Sequence, residues 1–67
     1  MGENEKLDQI RAILEAPEAE IGTALEDLAW DSMAILSVIA AARANGKVVT
    51  NEQTAAFKTV GDVVAAI

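Results

Sequence analysis

Ser32 is the residue of this chain whose type and setting most clearly offer a site for chemistry. It is one of two serines, and Asp31 precedes it directly. The chain has no cysteine and no histidine, which removes the usual metal ligands, the thiol nucleophile and the commonest general base. With no histidine or lysine predicted beside it, Ser32 is a poor nucleophile by itself. We therefore expect no catalytic residues, no metal site and no enzymatic activity of the chain itself.

Asp31 and Ser32 stand at the start of a predicted helix over residues 32–44. The carboxylate of Asp31 can serve as the N-cap, an apolar run follows, and Asn45-Gly46 supplies the stop. A serine at the first helical position points its hydroxyl outward, where another enzyme can reach it. The second serine, Ser37, lies more than one turn inside this helix without a preceding acid, and we expect it to be exposed and unmodified.

The segment before Ser32 is predicted to be one helix and a long loop. Residues 4–16 have apolar side chains on one face and charged ones on the other, and Pro17 should end this first helix. Residues 17–30 lose the helical period. We expect them to form a long loop that is pinned to the core by Ile21, Leu25, Leu28 and Trp30.

The segment after the second helix is predicted to hold two more helices. Thr50 and Gln53 have capping-box spacing and start a short helix through about residue 56, after which Phe57 docks into the core. Thr59 and Asp62 repeat the same spacing before a stripe at i, i+3, i+4 and i+7. That stripe consists of Val60, Val63, Val64 and Ile67. The expected fold is all-α, a small bundle of three main helices plus one short helix, with a long loop between the first and second helices.

The second helix is apolar on most sides, so a helical wheel must decide which side faces solvent. Its large residues, Met33, Ile35, Leu36, Val38 and Ile39, cover most of the wheel. The remaining stripe holds Ala34, Ser37, Ala41, Ala44 and Asn45. We expect this small, nearly uncharged stripe to be the exposed one.

The charge of the chain is acidic and unevenly distributed. Its formal net charge is −6, and residues 1–31 hold nine acids and two bases, while residues 32–67 hold two acids and three bases. Such a chain repels nucleic-acid phosphates and anionic lipid, so we expect neither nucleic acid nor membrane as a partner. The acids either attract basic protein surfaces or only keep the chain soluble. No disulfide framework and no basic-then-apolar leader is present, so the expected location is cytoplasmic. We expect a monomer.

Two segments resemble those of a known family. Residues 25–33, with the sequence LEDLAWDSM, resemble the modification site of acyl carrier proteins, where an acidic and apolar approach leads into Asp-Ser-Leu at the start of the second helix. Residues 57–64, with the sequence FKTVGDVV, are similar to that family's entry into its last helix. Length, acidity, the long first loop and the helix order agree, so the resemblance covers nearly the whole chain.

The resemblance implies that residues 1–67 are a single, stand-alone acyl or peptidyl carrier domain. It implies a 4′-phosphopantetheine arm, taken from coenzyme A, that is attached to Ser32 and holds acyl intermediates as thioesters. A phosphopantetheinyl transferase would supply the base and the metal for this attachment, and acyl-loading and acyl-using enzymes would be the further partners. The residues expected to meet partners are Glu26, Asp27, Asp31 and Met33. A phosphodiester on Ser32 would also lie at a helix N-terminus, which favours an anion.

The chain departs from the family pattern at several positions. Ala29 replaces the usual glycine, and Trp30 replaces a smaller aliphatic residue. Two roles are open for Trp30: it anchors the loop on the core, or it contacts the arm, its cargo or a partner. The second helix lacks the exposed acids of carriers that serve general fatty acid biosynthesis, which favours a specialised pathway such as polyketide or lipid chemistry. Two alternatives stay open: a peptidyl or aminoacyl carrier of a nonribosomal pathway, and a helical protein-interaction module without a prosthetic group.

Overall fold

Residues 2–67 form four α-helices, as the sequence predicts. The computed structural model describes residues 2–67, except the side chain of Glu3. The helices are α1 (Glu3–Leu14), α2 (Ser32–Ala44), α3 (Asn51–Ala56) and α4 (Val60–Ala66), and no strand occurs within residues 2–67. The all-α bundle with a long loop before α2 is confirmed. No helix in that range is long and apolar enough to cross a membrane.

The first helix ends two residues earlier than predicted. Glu15 adopts a left-handed conformation, with φ 53°, and its N–H donates to the Ala12 carbonyl. Ala16 precedes Pro17, and the proline ring disfavours helical geometry at the residue before it. The helix therefore stops at Leu14, and Pro17 lies beyond the cap rather than at it.

Arg11 fastens the start of the loop to α1. Its Nε donates to the Ala19 carbonyl at 2.7 Å, and its guanidinium also lies 3.3 Å from Asp8 and 3.6 Å from Glu20. The carboxylates are largely exposed, so each ion pair contributes little by itself. The short hydrogen bond to a backbone carbonyl is the contact that fixes the direction in which the loop leaves α1.

The loop before α2 is held to the α3–α4 connection by backbone hydrogen bonds. Leu25 donates to Lys58, Val60 donates to Thr23, and Gly61 donates to Ile21, at 2.8 to 3.0 Å. A single 3₁₀ turn, Leu25–Asp27, forms within the loop. These bonds satisfy the backbone of a segment that could not otherwise lie against the core.

The predicted anchors of this loop are only partly correct. Leu25 is fully buried, and Leu28 and Trp30 are half-buried against the core. Ile21 is exposed, so its prediction as an apolar anchor is wrong. Ile21 contacts Gly61 instead: its carbonyl accepts from the Gly61 N–H, and a Cβ on that glycine would lie 2.7 Å from the Ile21 side chain.

The two short helices begin as predicted. Thr50 and Gln53 form a complete capping box at α3, and Thr59 and Asp62 form one at α4. The backbone N–H groups of Lys58 and Thr59 both donate to the Asp62 carboxylate, which lowers the pKa of that carboxyl. Phe57, between the two helices, is half-buried and packs against the core.

The core lies where α1 packs against α2 and α4. Its fully buried large side chains are contributed by all three of these helices, the loop and the last residue, and they are Ile10, Leu25, Val38, Val60, Val63 and Ile67. The final apolar stripe of the sequence is therefore buried as predicted. The buried polar side chain of Thr54 donates to the Asn51 carbonyl at 2.7 Å. Within the described residues no buried side-chain nitrogen or oxygen lacks a partner.

The predicted orientation of α2 is only partly correct. As expected of the large side chains, Val38 is buried and Ile35 and Ile39 are half-buried. Ala34, Val38 and Ala42 face the core, whereas Met33 is 73% exposed and Leu36 is 61% exposed. Of the stripe expected to face solvent, Ser37 and Ala44 are exposed, Ala34 is buried, and Ala41 and Asn45 are half-buried. Residues at i, i+4 and i+8 form a ridge, and small side chains on that ridge let two helices approach closely. Close packing of α2 thus buries Ala34 and Ala42 and leaves Met33 and Leu36 exposed.

Candidate functional site

Ser32 is the first residue of α2, and its side chain is exposed. Asp31 caps the helix, because its Oδ1 accepts from the Ala34 N–H at 3.0 Å while its carbonyl accepts from the Ile35 N–H at 3.0 Å. Among the hydrogen bonds of the described residues, none uses the Ser32 hydroxyl. The helix start is therefore complete without that hydroxyl, which is left available to an approaching enzyme.

The chain reaches Ser32 through a series of tight turns. The Leu28 N–H donates to Leu25, the Trp30 N–H donates to Leu28, and the Asp31 N–H donates to Ala29, at 2.8 to 3.2 Å. Because each of these backbone N–H groups donates to a carbonyl two or three residues earlier, the backbone conformation between the 3₁₀ turn and α2 is fixed by local hydrogen bonds. The buried Leu25 below it links the position of Ser32 to the core.

The end of α2 that carries Ser32 suits an anion. The first N–H groups of a helix have no partner within the helix, and here the Asp31 side chain takes only that of Ala34. A helix of 13 residues also places the positive end of its dipole at this terminus. A phosphate ester on the Ser32 hydroxyl would be stabilised there by both features.

The structure divides the predicted partner residues between two open clefts. Asp31 and Met33 line a cleft of about 330 Å³ between the end of α1 and the start of α2, together with Glu15 and Ser37. Glu26 lines a different cleft of about 660 Å³. Asp27 is exposed and lines neither cleft. Asp31 therefore borders one cleft and Glu26 the other.

The larger cleft has aromatic and charged walls. Trp30 and Phe57 meet there with ring centroids 6.4 Å apart and an angle of 49° between the planes, and Glu26 and Lys58 lie on the rim. Trp30 is half-buried, packs against the core and also lines this cleft. This agrees with a loop anchor and leaves room for a contact with an arm or a cargo.

Sequence reasoning missed three residues of this region. Glu15 lies in the same cleft as Asp31, and Phe57 meets Trp30, although each pair is far apart in the sequence. The exposed side chain of Leu36 extends the apolar surface that begins at Met33. Of the three, only Leu36 could have been found from the sequence. The apolar side chains of α2 cover most of its circumference, so some of them must be exposed when one face packs on the core.

The chemistry available to Ser32 is that of an accessible hydroxyl. No group of three or more histidine, cysteine, aspartate or glutamate side chains that could hold a metal occurs within the described part of the chain. No described hydrogen bond joins Ser32 to a basic group that could remove its proton. Within the described residues, the exposed Ser32 hydroxyl thus has no basic hydrogen-bond partner.

Comparison with known proteins gives no relative. No protein-family model matches the chain, and no curated protein or solved structure matches it significantly.

Proposed function

We propose that this protein is an acyl carrier protein, a non-enzymatic carrier that holds thioester-linked acyl intermediates on a 4′-phosphopantetheine arm attached to Ser32. The observation that carries the proposal is the exposed Ser32 hydroxyl at the first position of α2, beside an N-cap Asp31. The resemblance of residues 25–33 and 57–64 to carrier-protein segments supports it. So does the bundle, whose long loop leads into this helix.

Attachment of the arm is a group transfer in which Ser32 is the acceptor. The Ser32 oxygen forms a bond to phosphorus, the phosphorus–oxygen bond to the nucleotide part of coenzyme A breaks, and the hydroxyl proton passes to a base. This chain offers no such base beside Ser32, so a phosphopantetheinyl transferase supplies it, together with the metal. The α2 N-terminus stabilises the resulting phosphodiester. When bound, the arm supplies the thiol that carries the acyl group.

The partners we propose are the transferase, an acyl-loading enzyme and acyl-using enzymes, all met in the cytoplasm by the monomer. Asp31 would meet the transferase beside Ser32; its exposure and that of Glu26 and Asp27, which precede it, support this. The exposed side of α2 carries Arg43 and no acid. This favours a specialised pathway, such as polyketide or lipid biosynthesis, over general fatty acid biosynthesis, whose carriers typically expose acids there.

The decisive experiment is intact-mass measurement after incubation with coenzyme A and a broad-specificity transferase. One phosphopantetheine should be added to the wild type and to Ser37→Ala, the matched control on the same helix. Ser32→Ala should gain no mass and should keep its helical circular dichroism, because the exposed hydroxyl makes no hydrogen bond within the described residues. Modification of Ser32→Ala would show that the attachment site is wrong.

A second candidate function is a protein-interaction module without a prosthetic group. The exposure of Met33 and Leu36 on α2 favours it, since large apolar side chains on a small domain mark contact surfaces. Failure of several transferases to modify the folded wild type would favour this module and reject the carrier. Should the arm be added, loading of the holo form by an amino-acid-activating enzyme rather than an acyl transferase would indicate a peptidyl or aminoacyl carrier.

A further inference from the structure

The cleft that Trp30 and Phe57 line has the size of a small-molecule site. Its volume of about 660 Å³ lies within the range of about 300–1,000 Å³ that is usual for ligand pockets. The ring centroids are 6.4 Å apart and the ring planes are tilted by 49°, so the rings do not stack face to face. Both side chains are only half-buried. Part of their apolar surface is therefore free to contact a third apolar group in the cleft.

The backbone on both sides of this cleft is fixed by hydrogen bonds within the chain. One side is the loop before α2, and the other is the α3–α4 connection. The Leu25 N–H donates to the Lys58 carbonyl at 2.9 Å, and Ala24 pairs with Thr59 in an antiparallel bridge. The Asp62 carboxylate accepts from the N–H groups of Lys58 and Thr59. The cleft is therefore preformed, and a ligand binds there with little ordering of the backbone.

The cleft lies close to Ser32. Trp30 precedes Ser32 by two residues, so their Cα atoms are at most about 7.6 Å apart. The Trp30 N–H donates to the Leu28 carbonyl at 2.8 Å, which holds the backbone that leads to the serine. A phosphopantetheine arm on Ser32 is longer than this separation when it is extended. The group at the end of the arm can therefore fold back into the cleft.

The side chains of the cleft favour an aromatic group over a saturated one. Aromatic rings attract one another in offset or edge-to-face arrangements, beyond the gain from burial alone. The exposed Glu26 and Lys58 also line the cleft, and they can accept from and donate to the amide groups of an arm. The smaller cleft that Asp31 and Met33 line contains no aromatic side chain. Of these two clefts near Ser32, only the larger one discriminates by ring contacts.

We propose that the Trp30–Phe57 cleft binds the end of the cargo, and that this cargo is an acyl group that ends in an aromatic ring. The inference rests on the proposed attachment of an arm to Ser32 and adds the substrate class. Trp30 sets the preference, because the smaller aliphatic residue that it replaces offers no ring. The cargo ring contacts Trp30 and Phe57, and the amide groups of the arm lie near Glu26 and Lys58.

The test compares two cargoes of similar size on the whole chain. A broad-specificity transferase loads the protein from phenylacetyl-coenzyme A or from cyclohexylacetyl-coenzyme A, whose rings differ only in saturation. The Ser32 oxygen bonds to phosphorus, the nucleotide part of coenzyme A leaves, and the acyl group stays on the thiol of the arm. Intact mass measures this loading independently of where the cargo lies.

Two measurements then report where the cargo lies. Nuclear Overhauser contacts should join the phenyl ring to the rings of Trp30 and Phe57. Trp30 is the only tryptophan of the chain, so protection of its fluorescence from acrylamide, relative to the arm without an acyl group, measures the docked fraction. The ratio of docked to undocked cargo should be about 2- to 13-fold higher for phenylacetyl than for cyclohexylacetyl.

Variants assign the preference to the two rings. Phe57→Leu should lose it by both measurements, and Trp30→Leu should lose the nuclear Overhauser contacts, with circular dichroism confirming that each variant is folded. Ser37→Ala, in the smaller cleft, should behave like the wild type. Equal docking of the two cargoes by the wild type, or an unchanged preference in Phe57→Leu, would overturn the inference and leave the carrier function intact. A wild type that gains no mass would reject the carrier function, and the inference with it.

Discussion

Replacing Asp31 by alanine and by asparagine should separate its structural role from its role in partner recognition. In the wild type the carboxylate accepts from the Ala34 N–H at 3.0 Å. Alanine removes this acceptor, which costs about 1 kcal/mol, and also removes a negative charge worth about 0.3–1 kcal/mol at a helix N-terminus. Asparagine keeps an acceptor oxygen and loses only the charge.

The expected effects on stability follow from those magnitudes. In a domain of this size 1 kcal/mol corresponds to about 4–8 °C in Tm, so Asp31→Ala, which loses about 1.3–2 kcal/mol, should lower Tm by about 5–16 °C. Asp31→Asn, which loses only about 0.3–1 kcal/mol, should lower Tm by about 1–8 °C. Thermal melts followed by far-ultraviolet circular dichroism measure both, and an equal loss of stability in the two variants would refute the capping hydrogen bond as the cause.

The two substitutions should affect the transferase alike. An exposed charge contact is worth about 0.2–1 kcal/mol, so the transferase KM should rise about 1.4- to 5-fold for either variant at low salt. Neutralising Glu26 and Asp27 as well should raise KM further than any single change, and the difference should shrink as salt is added. A wild-type KM for Asp31→Asn, or for the triple variant, would refute the electrostatic role of these acids.

Three further predictions test the packing around the site. Gly61→Ala should destabilise the protein by about 1–2 kcal/mol in urea unfolding, because the new methyl meets a branched side chain at 2.7 Å, whereas Gly22→Ala, with open space, should be neutral. Ala34→Glu should cost at least about 3 kcal/mol because Ala34 is buried, and Ser37→Glu should change stability by less than about 0.5 kcal/mol because Ser37 is exposed; similar losses would contradict the orientation of α2. Backbone hydrogen bonds from Lys58 and Thr59 lower the pKa of Asp62 below the usual 3.8. The stabilisation by its carboxylate is therefore present above pH 3.8 and is lost as the pH falls further. Urea titrations from pH 5 to 2 should show the difference in stability between wild type and Asp62→Asn shrinking, and a constant difference would contradict this cause.

Local signals in the sequence determined the helices and the position of Ser32. The capping boxes at Thr50 and Thr59 and the cap at Asp31 each depend on residues three positions apart, so they form from contacts that the sequence itself specifies. The stripe of the last helix has one apolar face, and that face is the buried one. From these features the order of the helices and the exposure of Ser32 could be predicted without knowledge of the tertiary contacts between the helices.

Tertiary packing decided which side of α2 is buried and which residues share a cleft. The sequence of a helix that is apolar on nearly all sides does not indicate which face is buried. In the fold the face with Ala34 and Ala42 is buried, because their small side chains let α2 approach its neighbours. The meetings of Glu15 with Asp31 and of Trp30 with Phe57 depend on how α1, the loop and the α3–α4 connection are assembled. Such contacts join residues distant in the chain, and no local period encodes them. The sequence therefore determined the position of Ser32 at the start of α2, and the fold alone determined the surface that surrounds it.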